Sequence, residues 1–336
     1  EILFMKILVT GGGGFLGSHL ALKLNLHGAD VTVLGRKIYP ELGDSIKCIK
    51  ADIKDRSAVL SALKDQEVVF HTAAIPGIWG DYDEFYSTDV QGTENVIFAC
   101  RENNVKKLIY TSSPSVVFGQ SDMADVDESA LYPEKYLCHY PKTKAMAEKL
   151  VMAANDTSGL ATVCIRPHLI WGPGDPHLVP RLIDRATKGK LVRVGDGKNK
   201  VDMIYIDNAV AAHLQACDKL NLAGPVAGKC YFVSDGEPVV LWDWINGLLK
   251  ELKLPTVTRS ISFQSATLLG RMLESVYQII GAKNEPPMTR FLAAQLAKSH
   301  YFNISRAKND FAYQPVVAQE EGMKRLINYF RSRPAD

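Results

Sequence analysis

Short apolar runs alternate, over the first 170 residues, with longer segments in which apolar residues recur every three to four positions. The run Ile7-Leu8-Val9 is typical of a parallel strand covered on both faces, whereas the spacing of Leu16, Leu20 and Leu24 is typical of an amphipathic helix. The same succession of a strand pattern and a helix pattern repeats along this part of the chain. It predicts strands over residues 7–9, 30–34, 46–53, 68–71, 107–113 and 161–166. It predicts helices over residues 16–26, 57–63, 85–104 and 140–154. Strands that alternate with helices indicate a doubly wound parallel sheet.

The pattern changes after residue 170, where a turn-rich segment leads into shorter and more mixed elements. We predict helices over 177–188, 207–218 and 241–253, strands near 191–194, 202–206 and 230–233, and, earlier in the chain, a loop over 122–135. The predicted fold class is therefore α/β. A Rossmann-type doubly wound sheet occupies residues 5–170, and a smaller mixed C-terminal substrate lobe occupies residues 171–336, with some segments returning to the sheet.

Residues 266–280 have apolar side chains at helical spacing and predict an amphipathic helix. We expect its apolar side to pack on the core. An apolar lid and contact with a membrane surface are the alternatives, although the helix has few basic residues for the latter. No apolar run reaches the roughly 18 residues needed to span a bilayer.

Composition and charge limit the kinds of binding partner that the chain is expected to have. The 336 residues are 46% hydrophobic and 23% charged, with a formal net charge of +2, which is typical of a soluble globular protein and indicates no nucleic-acid partner. The six cysteines are scattered without a C-x-x-C pair. This usage indicates a reducing cytoplasm and predicts no metal site.

A glycine turn follows the first strand and opens the first helix. Gly11, Gly14 and Gly17 have G-x-x-G-x-x-G spacing. Such a turn lets backbone N–H groups and a helix N terminus approach a pyrophosphate closely, so the turn predicts a dinucleotide site. We expect Phe15 and Leu16, in the same turn, to contact the cofactor.

The end of the second strand bears on cofactor choice. An NAD-binding domain usually has an acidic residue there for the ribose 2′-hydroxyl, but this chain has Arg36 and Lys37. Arg36 could bind a 2′-phosphate through charge-assisted hydrogen bonds, which favours NADP(H), with NAD(H) as the alternative. Further cofactor contacts are predicted at other strand ends: Asp52, Ile53, Ala73, Ala74 and Pro167.

Tyr140 and Lys144 stand one helical turn apart, and Ser113 follows the fifth strand. Hydride transfer to a ketone requires a proton donor at the forming alkoxide. We expect the ammonium of Lys144 to lower the pKa of the Tyr140 phenol toward neutrality and to hold the cofactor ribose. Ser113 would donate a hydrogen bond to the carbonyl oxygen, with Ser112 and Ser115 as alternative donors.

These features occur together with several longer matching stretches: Thr10-Gly11-x-x-Gly14-x-x-Gly17, Tyr110-Thr111-Ser112-Ser113-Pro114, Tyr140-x-x-x-Lys144 and Arg166-Pro167-His168. In this combination the chain resembles the extended short-chain dehydrogenases/reductases, and within them the 3β-hydroxysteroid dehydrogenase branch. The resemblance implies Ser113, Tyr140 and Lys144 as catalytic residues and a homodimer formed through helices 85–104 and 140–154. One departure is Asp89, where the family usually has asparagine.

The branch acts on β-oxygenated acids with bulky apolar substituents, including sterol 4-carboxylates and 2-alkyl-3-oxoalkanoates. The resemblance thus implies an NAD(P)H-dependent oxidoreductase for such a ketone or secondary alcohol. Candidate substrate contacts are Trp79, in an apolar loop at a strand end, with Ser115, His139 and His168. The candidate partners for a substrate carboxylate are His139, Arg181 and Arg193.

Three other functions are weighed against this one. A nucleotide-sugar epimerase shares the fold and triad but usually has arginine before the aspartate near 202, where this chain has Val201. A 4,6-dehydratase would have an Asp-Glu pair in place of Pro114-Ser115. A non-catalytic NADP-binding regulator typically lacks the tyrosine and lysine, and both are present.

Overall fold

The computed structural model describes residues 3–155 and 159–332, and its largest element is a parallel sheet. The strands, in chain order, are β1 (Lys6–Thr10), β2 (Asp30–Gly35), β3 (Lys47–Lys50), β4 (Val68–His71), β5 (Lys107–Thr111), β6 (Met123–Val126), β7 (Ala161–Pro167), β8 (Ile170–Trp171), β9 (Arg193–Val194), β10 (Lys200–Val201), β11 (Ile204–Tyr205), β12 (Lys229–Val233), β13 (Val239–Val240), β14 (Ser260–Ile261) and β15 (His300–Phe302). Seven strands form the central sheet in the order β12-β7-β5-β4-β1-β2-β3, and every neighbouring pair is parallel.

The helices connect these strands. They are α1 (Phe15–Leu26), α2 (Arg56–Ala62), α3 (Tyr82–Phe85), α4 (Gly92–Glu102), α5 (His139–Ala153), α6 (Leu178–Thr187), α7 (Ile206–Lys219), α8 (Leu241–Glu251), α9 (Phe263–Ile279), α10 (Arg290–Ala297), α11 (Ser305–Phe311) and α12 (Gln319–Arg331). The single helix predicted over 85–104 is interrupted, because a π-helical turn at Tyr86–Gln91 separates α3 from α4.

The residues of β1 show how both faces of the sheet are covered. Ile7 and Val9 belong to one buried cluster with Leu20 of α1, and Leu8 belongs to a second cluster with Val96 of α4. Successive strand residues point to opposite faces, so the apolar run lies between two helix layers. The predicted fold class, an α/β Rossmann-type sheet, is confirmed.

The C-terminal half contributes both to a second sheet and to the first. The order in the second sheet is β13-β10-β15-β6, and β12 pairs with β7 at the edge of the central sheet. The loop predicted over 122–135 is wrong in its first part, because β6 pairs with β15, which lies far along the chain. Residues 333–336 of the predicted substrate lobe lie outside the described residues.

Helix α9 corrects the expectation that its apolar side packs on the core. Its buried residues are Ala266, Gly270 and Glu274, at every fourth position, whereas Met272 and Ile279 are exposed. The carboxylate of Glu274 accepts hydrogen bonds from the backbone N–H and the Nε of Arg290, at 2.7 and 2.6 Å, which explains why a charged residue faces inward. Among the described helices, none combines the length and apolarity that crossing a bilayer requires.

Candidate active site

A cavity of about 740 Å³ lies along the carboxyl ends of the central strands and contains most of the predicted site residues. This edge of an open α/β sheet is where such folds bind ligands. The predicted residues that line it are Gly11, Gly14, Phe15, Leu16, Gly17, Arg36, Asp52, Ile53, Ala73, Ala74, Ser113, Ser115, Tyr140, Lys144, Pro167 and His168. Trp79 and His139 are not among its lining residues.

The glycine turn between β1 and α1 is packed too closely for side chains. Gly11 has a φ of +69°, and a Cβ there would lie 2.7 Å from the Cα of Ala73. A Cβ on Gly17 would lie 2.3 Å from the carbonyl oxygen of Gly11. No side chain caps the N terminus of α1, and its first turn has no acidic residue. These features fit a dinucleotide pyrophosphate at the helix N terminus.

The far end of the cavity carries the basic residues expected to decide cofactor choice. Arg36 is exposed directly after β2. Asp52 accepts a hydrogen bond from the backbone N–H of Lys54 at 2.9 Å, and its carboxylate lies 3.8 Å from the Lys54 ammonium. Ile53 is buried and packs against Gly92, where an added Cβ would lie only 2.6 Å from the Ile53 Cδ1. The arrangement leaves an arginine and no carboxylate directly after β2.

The Ser113 hydroxyl is near enough to the Tyr140 phenol to lower its pKa, and both side chains line the cavity, so two of the three predicted catalytic side chains are neighbours. The same hydroxyl lies 2.9 Å from Ser115 Oγ and accepts the Ser115 backbone N–H at 3.2 Å. Ser112 Oγ, in contrast, is buried without a hydrogen-bond partner among the described residues. Of the three serines, Ser113 is therefore the one whose hydroxyl influences the pKa of the phenol.

Burial dominates the acidity of Tyr140. It raises the pKa of the phenol to about 12, with an opposing decrease from the Ser113 hydroxyl and a further increase from Asp89. The expectation that Lys144 brings this pKa toward neutrality is not met in the protein alone. The phenol holds its proton across the neutral range, as a proton donor for ketone reduction requires.

Lys144 is buried, and its ammonium donates to the Thr111 carbonyl oxygen at 2.5 Å and lies 4.2 Å from the centre of the Tyr110 ring. Burial lowers the pKa of Lys144 to about 8, while the carboxylates of Asp89 and Glu148 oppose the shift. The group is thus an ammonium at neutral pH but loses its proton in mild alkali.

Asp89 lies in the π-helical turn, opposite the helix that carries Lys144. Its Oδ1 accepts the Ile75 backbone N–H at 3.1 Å, and its Oδ2 accepts the Thr143 hydroxyl at 2.8 Å. Burial raises the pKa of this carboxyl, and the Lys144 charge opposes the increase. The aspartate that departs from the family pattern is therefore a buried neighbour of the predicted catalytic lysine.

A chain of buried hydrogen bonds fixes the turn that holds Asp89. His71 lies between Thr10 Oγ1, at 2.7 Å from its Nδ1, and Thr93 Oγ1, at 3.0 Å from its Nε2. Thr93 donates to the Asp89 carbonyl oxygen at 2.5 Å, so its oxygen accepts from Nε2–H. Burial lowers the pKa of His71 to about 3, and the neutral ring thus connects the end of β1 to the π turn.

Glu148 and Arg166 hold α5 on β7, one helical turn beyond Lys144. The Glu148 carboxylate accepts Arg166 Nε at 2.8 Å and Nη2 at 2.6 Å, and it also accepts the Tyr132 hydroxyl at 2.6 Å. Both ionic side chains are almost fully buried. The pair fixes the helix that presents the predicted catalytic residues.

His168 belongs to a second buried network, behind the cavity wall. Its Nε2 lies 2.5 Å from His300 Nδ1, and His300 Nε2 donates to the Gln295 carbonyl oxygen at 2.9 Å. Burial lowers the pKa of both imidazoles. His168 therefore lines the site as a neutral Nε2–H tautomer and is not a cation for a carboxylate.

The other candidate substrate residues point elsewhere. Trp79 donates to the Ala282 carbonyl oxygen at 3.1 Å, and the exposed His139 packs edge-on against Tyr82, 5.4 Å between ring centres. Arg181 forms an ion pair with Glu285. Neither Arg181 nor Arg193 lines the cavity.

Sequence reasoning missed several lining residues, among them Tyr39, Thr88, His177, Phe291 and Gln295. Phe291 and Gln295 come from α10, which was not predicted. A usable signal was present, because Thr289 caps this helix by accepting the Leu292 N–H at 3.0 Å, and apolar residues follow it. Among the residues that the structure describes, no cluster of His, Cys, Asp and Glu has the arrangement of a metal site.

Known proteins resemble the chain over almost its full length. The model of the 3-beta hydroxysteroid dehydrogenase/isomerase family matches residues 8–264. The 2-alkyl-3-oxoalkanoate reductase of Stenotrophomonas maltophilia (strain K279a) is 46% identical over 326 residues, covering 96% of this chain and 98% of that protein. The 3beta-hydroxysteroid-dehydrogenase/decarboxylase isoform 1 of Arabidopsis thaliana is 37% identical over 351 residues, with coverages of 96% and 79%.

Solved structures show the same fold. The UDP-glucuronic acid 4-epimerase from Bacillus cereus, in complex with NAD, superposes with a TM-score of 0.76 at 24% identity, covering 98% of this chain and 99% of that one. At this identity the likeness concerns the fold alone.

Proposed function

This chain belongs to the 3-beta hydroxysteroid dehydrogenase/isomerase family and is an NAD(P)-dependent oxidoreductase acting on a ketone or secondary alcohol, and we propose that its substrate is an apolar ketone of the 2-alkyl-3-oxoalkanoate type. One observation supports the catalytic part of the proposal. The Ser113 hydroxyl and the Tyr140 phenol both line the cavity that the glycine turn opens, and the hydroxyl is near enough to the phenol to lower its pKa.

In the proposed reaction the two hydroxyls converge on one oxygen. A reduced nicotinamide cofactor, when bound, supplies the hydride that adds to the carbonyl carbon. Ser113 donates a hydrogen bond to the carbonyl oxygen and holds it near Tyr140. Tyr140 transfers its phenolic proton to that oxygen, leaving an alcohol and a phenolate, and the phenolate then takes a proton from solvent. Lys144, one turn further along the same helix, would hold the ribose of the bound cofactor.

We assign the cofactor preference to NADP(H). Arg36 is exposed at the cavity rim directly after β2, where it can meet a 2′-phosphate with two parallel N–H donors. The predicted homodimer, the cytoplasmic location and the division into two lobes at residue 170 stay predictions.

The test is a comparison of substrates with both cofactors, followed by loss of reduced-cofactor absorbance. We expect NADPH oxidation with a 2-alkyl-3-oxoalkanoate and slower oxidation with a 3-ketosteroid. Tyr140→Phe should lower kcat by about 100- to 10,000-fold, as loss of a general acid does, and leave the Kd of NADPH nearly unchanged. The control is Tyr136→Phe, because that phenol donates to the Val116 carbonyl oxygen at 2.9 Å, away from the cavity.

Two results would contradict the proposal. Unimpaired turnover by Tyr140→Phe would remove the phenol from the chemistry. Conversion of a UDP-hexose to its epimer without net cofactor oxidation, and no activity on the ketones, would instead assign the chain to the sugar epimerases that share its fold.

A further inference from the structure

One aromatic ring, that of Tyr39, lies against the glycine turn and against the end of β2 at the same time. A Cβ on Gly13 would collide with the Cε1 and Cζ atoms of this ring, and a Cβ on Gly35 would lie 2.6 Å from its hydroxyl oxygen. Both glycines and the tyrosine line the active-site cavity. The ring therefore forms the cavity wall between the turn and the strand end, where the adenosine half of a dinucleotide lies.

The backbone does not require glycine at either of these two positions. Gly11 has a positive φ, but Gly13 and Gly35 do not, and Gly35 is an ordinary strand residue that pairs with Lys50 of β3. The three atoms nearest to each added Cβ all belong to Tyr39. The ring of Tyr39, and not the backbone conformation, is thus what keeps both positions free of side chains.

The position of Gly35 matters for cofactor choice because it ends β2. An NAD-binding domain carries at this strand end the acid that binds the ribose 2′-hydroxyl. In this chain the Tyr39 hydroxyl lies where the side chain of an acid at residue 35 would begin. An ionised carboxylate only accepts hydrogen bonds, whereas a phenol can also donate one. Since phosphate oxygens need donors and are repelled by carboxylates, a phenol at this place favours a ribose that carries a 2′-phosphate.

The loop after β2 fixes Tyr39 before any ligand arrives. The Tyr39 carbonyl oxygen accepts the Leu42 N–H at 3.1 Å in a short 3₁₀ turn, and Leu42 is buried in the same cluster as Ile7 and Val9 of β1. The Tyr39 hydroxyl forms no hydrogen bond with another described residue, so it is available to a ligand. A donor that is already in position loses little conformational freedom when the ligand binds.

We infer that Tyr39 is a specificity-determining residue for the cofactor. Its ring excludes an acid at residue 35, and its hydroxyl donates a hydrogen bond to the 2′-phosphate beside Arg36, which lines the same end of the cavity. The inference rests on the proposed preference for NADP(H) and adds to it a second donor and a steric element. Residues 35 and 39 then act as a pair, because an acid fits at the first only when the ring is absent from the second.

The first experiment is calorimetric titration of the full chain with NADPH and with NADH, without ketone. Tyr39→Phe keeps the ring and removes the hydroxyl. We expect it to weaken NADPH binding by about 10-fold, as loss of a hydrogen bond to a charged group does, and to leave NADH binding unchanged. The control is Tyr301→Phe, which removes a half-buried phenol that does not line the cavity and should bind both cofactors like the unchanged protein.

A second experiment tests the pairing of residues 35 and 39. Gly35→Asp alone places its side chain against the phenol, so we expect it to weaken the binding of both cofactors. Gly35→Asp/Tyr39→Ala supplies the acid and the space for it, and should bind NADH more tightly than NADPH. Tyr39→Ala alone should weaken NADPH binding without reversing the preference, because Arg36 is still present. Thermal unfolding of each variant separates a loss of binding from a loss of folding.

The results distinguish a failure of this inference from a failure of the proposed function. If Arg36→Ala weakens NADPH binding and Tyr39→Phe does not, the preference for NADP(H) stands and the role of the Tyr39 hydroxyl is wrong. If Gly35→Asp alone binds NADH as tightly as the double variant does, the ring does not exclude the acid. An unchanged protein that binds NADH as tightly as NADPH would instead overturn the cofactor assignment from which the inference starts.

Discussion

Asp89→Asn removes a buried negative charge near Lys144 while preserving the local contacts. The oxygen of the substituted side chain can still accept the Ile75 N–H, which now bonds Oδ1 at 3.1 Å. The new amide group can donate to Thr143 Oγ1, whose own hydrogen can turn to the Tyr140 carbonyl oxygen, already 3.1 Å away. Because the shape and the hydrogen bonds survive, the variant isolates the effect of the charge.

The expected magnitude follows from the groups that surround the Lys144 ammonium. Burial lowers its pKa to about 8, and Asp89, Glu148 and Cys164 oppose that shift, with Asp89 the largest of the three. Loss of one nearby opposite charge changes a pKa by about one or more, so we expect a pKa of about 7. At pH 8 the protonated fraction then falls from about one half to about one tenth, roughly a five-fold loss. At pH 6 almost all of the lysine stays protonated in both proteins.

The assay is the pH dependence of kcat/KM for ketone reduction. The pKa of Tyr140 is raised to about 12, so the phenol keeps its proton over this range and the alkaline decrease reports Lys144. We expect the midpoint of that decrease to fall in Asp89→Asn and to stay in place in Asp83→Asn, which removes an exposed charge instead. An unmoved midpoint in Asp89→Asn, or an equal shift in both variants, would refute the reasoning.

Three further outcomes are expected. Arg36→Ala should weaken NADPH binding by about ten-fold and leave NADH unaffected, because only NADPH has a 2′-phosphate; equal losses by titration would contradict this assignment. Glu148→Gln should lower the free energy of unfolding by about 3–5 kcal/mol in denaturant titration, because the buried Arg166 guanidinium loses its charged partner. The control is Asp184→Asn, which breaks the exposed pair with Lys188 and should lower the free energy of unfolding by less than about 1 kcal/mol. Gly17→Ala should abolish cofactor binding in calorimetry, because the new Cβ would collide with the carbonyl oxygen of Gly11. The control is Gly247→Ala, where a Cβ contacts nothing within 4 Å. This control should leave binding unchanged and slightly raise the melting temperature.

The N-terminal half of the fold could be predicted because its signals are local. An apolar run, a glycine turn and an amphipathic segment identify β1 and α1 without distant information, and the predicted family is confirmed by the relatives. The second sheet could not be predicted in the same way. Its β6 is four residues long and pairs with β15, so its pairing depends on a contact between Met123 and His300 that no local pattern contains.

The active site likewise has some features that the local sequence predicts and others that depend on distant contacts. Spacing predicted that Tyr140 and Lys144 share a helical turn, and both line the cavity. Spacing could not reveal that the phenol is partly desolvated on the cavity wall, and this desolvation is the largest influence on its pKa. For α9 the periodicity gave an apolar face but not its direction, because the pairing of Glu274 with Arg290 settles that direction from outside the helix.

The position of β12 shows that the two halves of the chain share one sheet. This strand is encoded after residue 228 but completes the central sheet against β7, whose residues are all buried. A protein shortened at residue 170 would expose the N–H and C=O groups of β7 along an apolar edge, a template for aggregation. Exchanging the second half between relatives would therefore replace part of the central sheet as well, so the predicted substrate lobe is not a module that can be transplanted by itself.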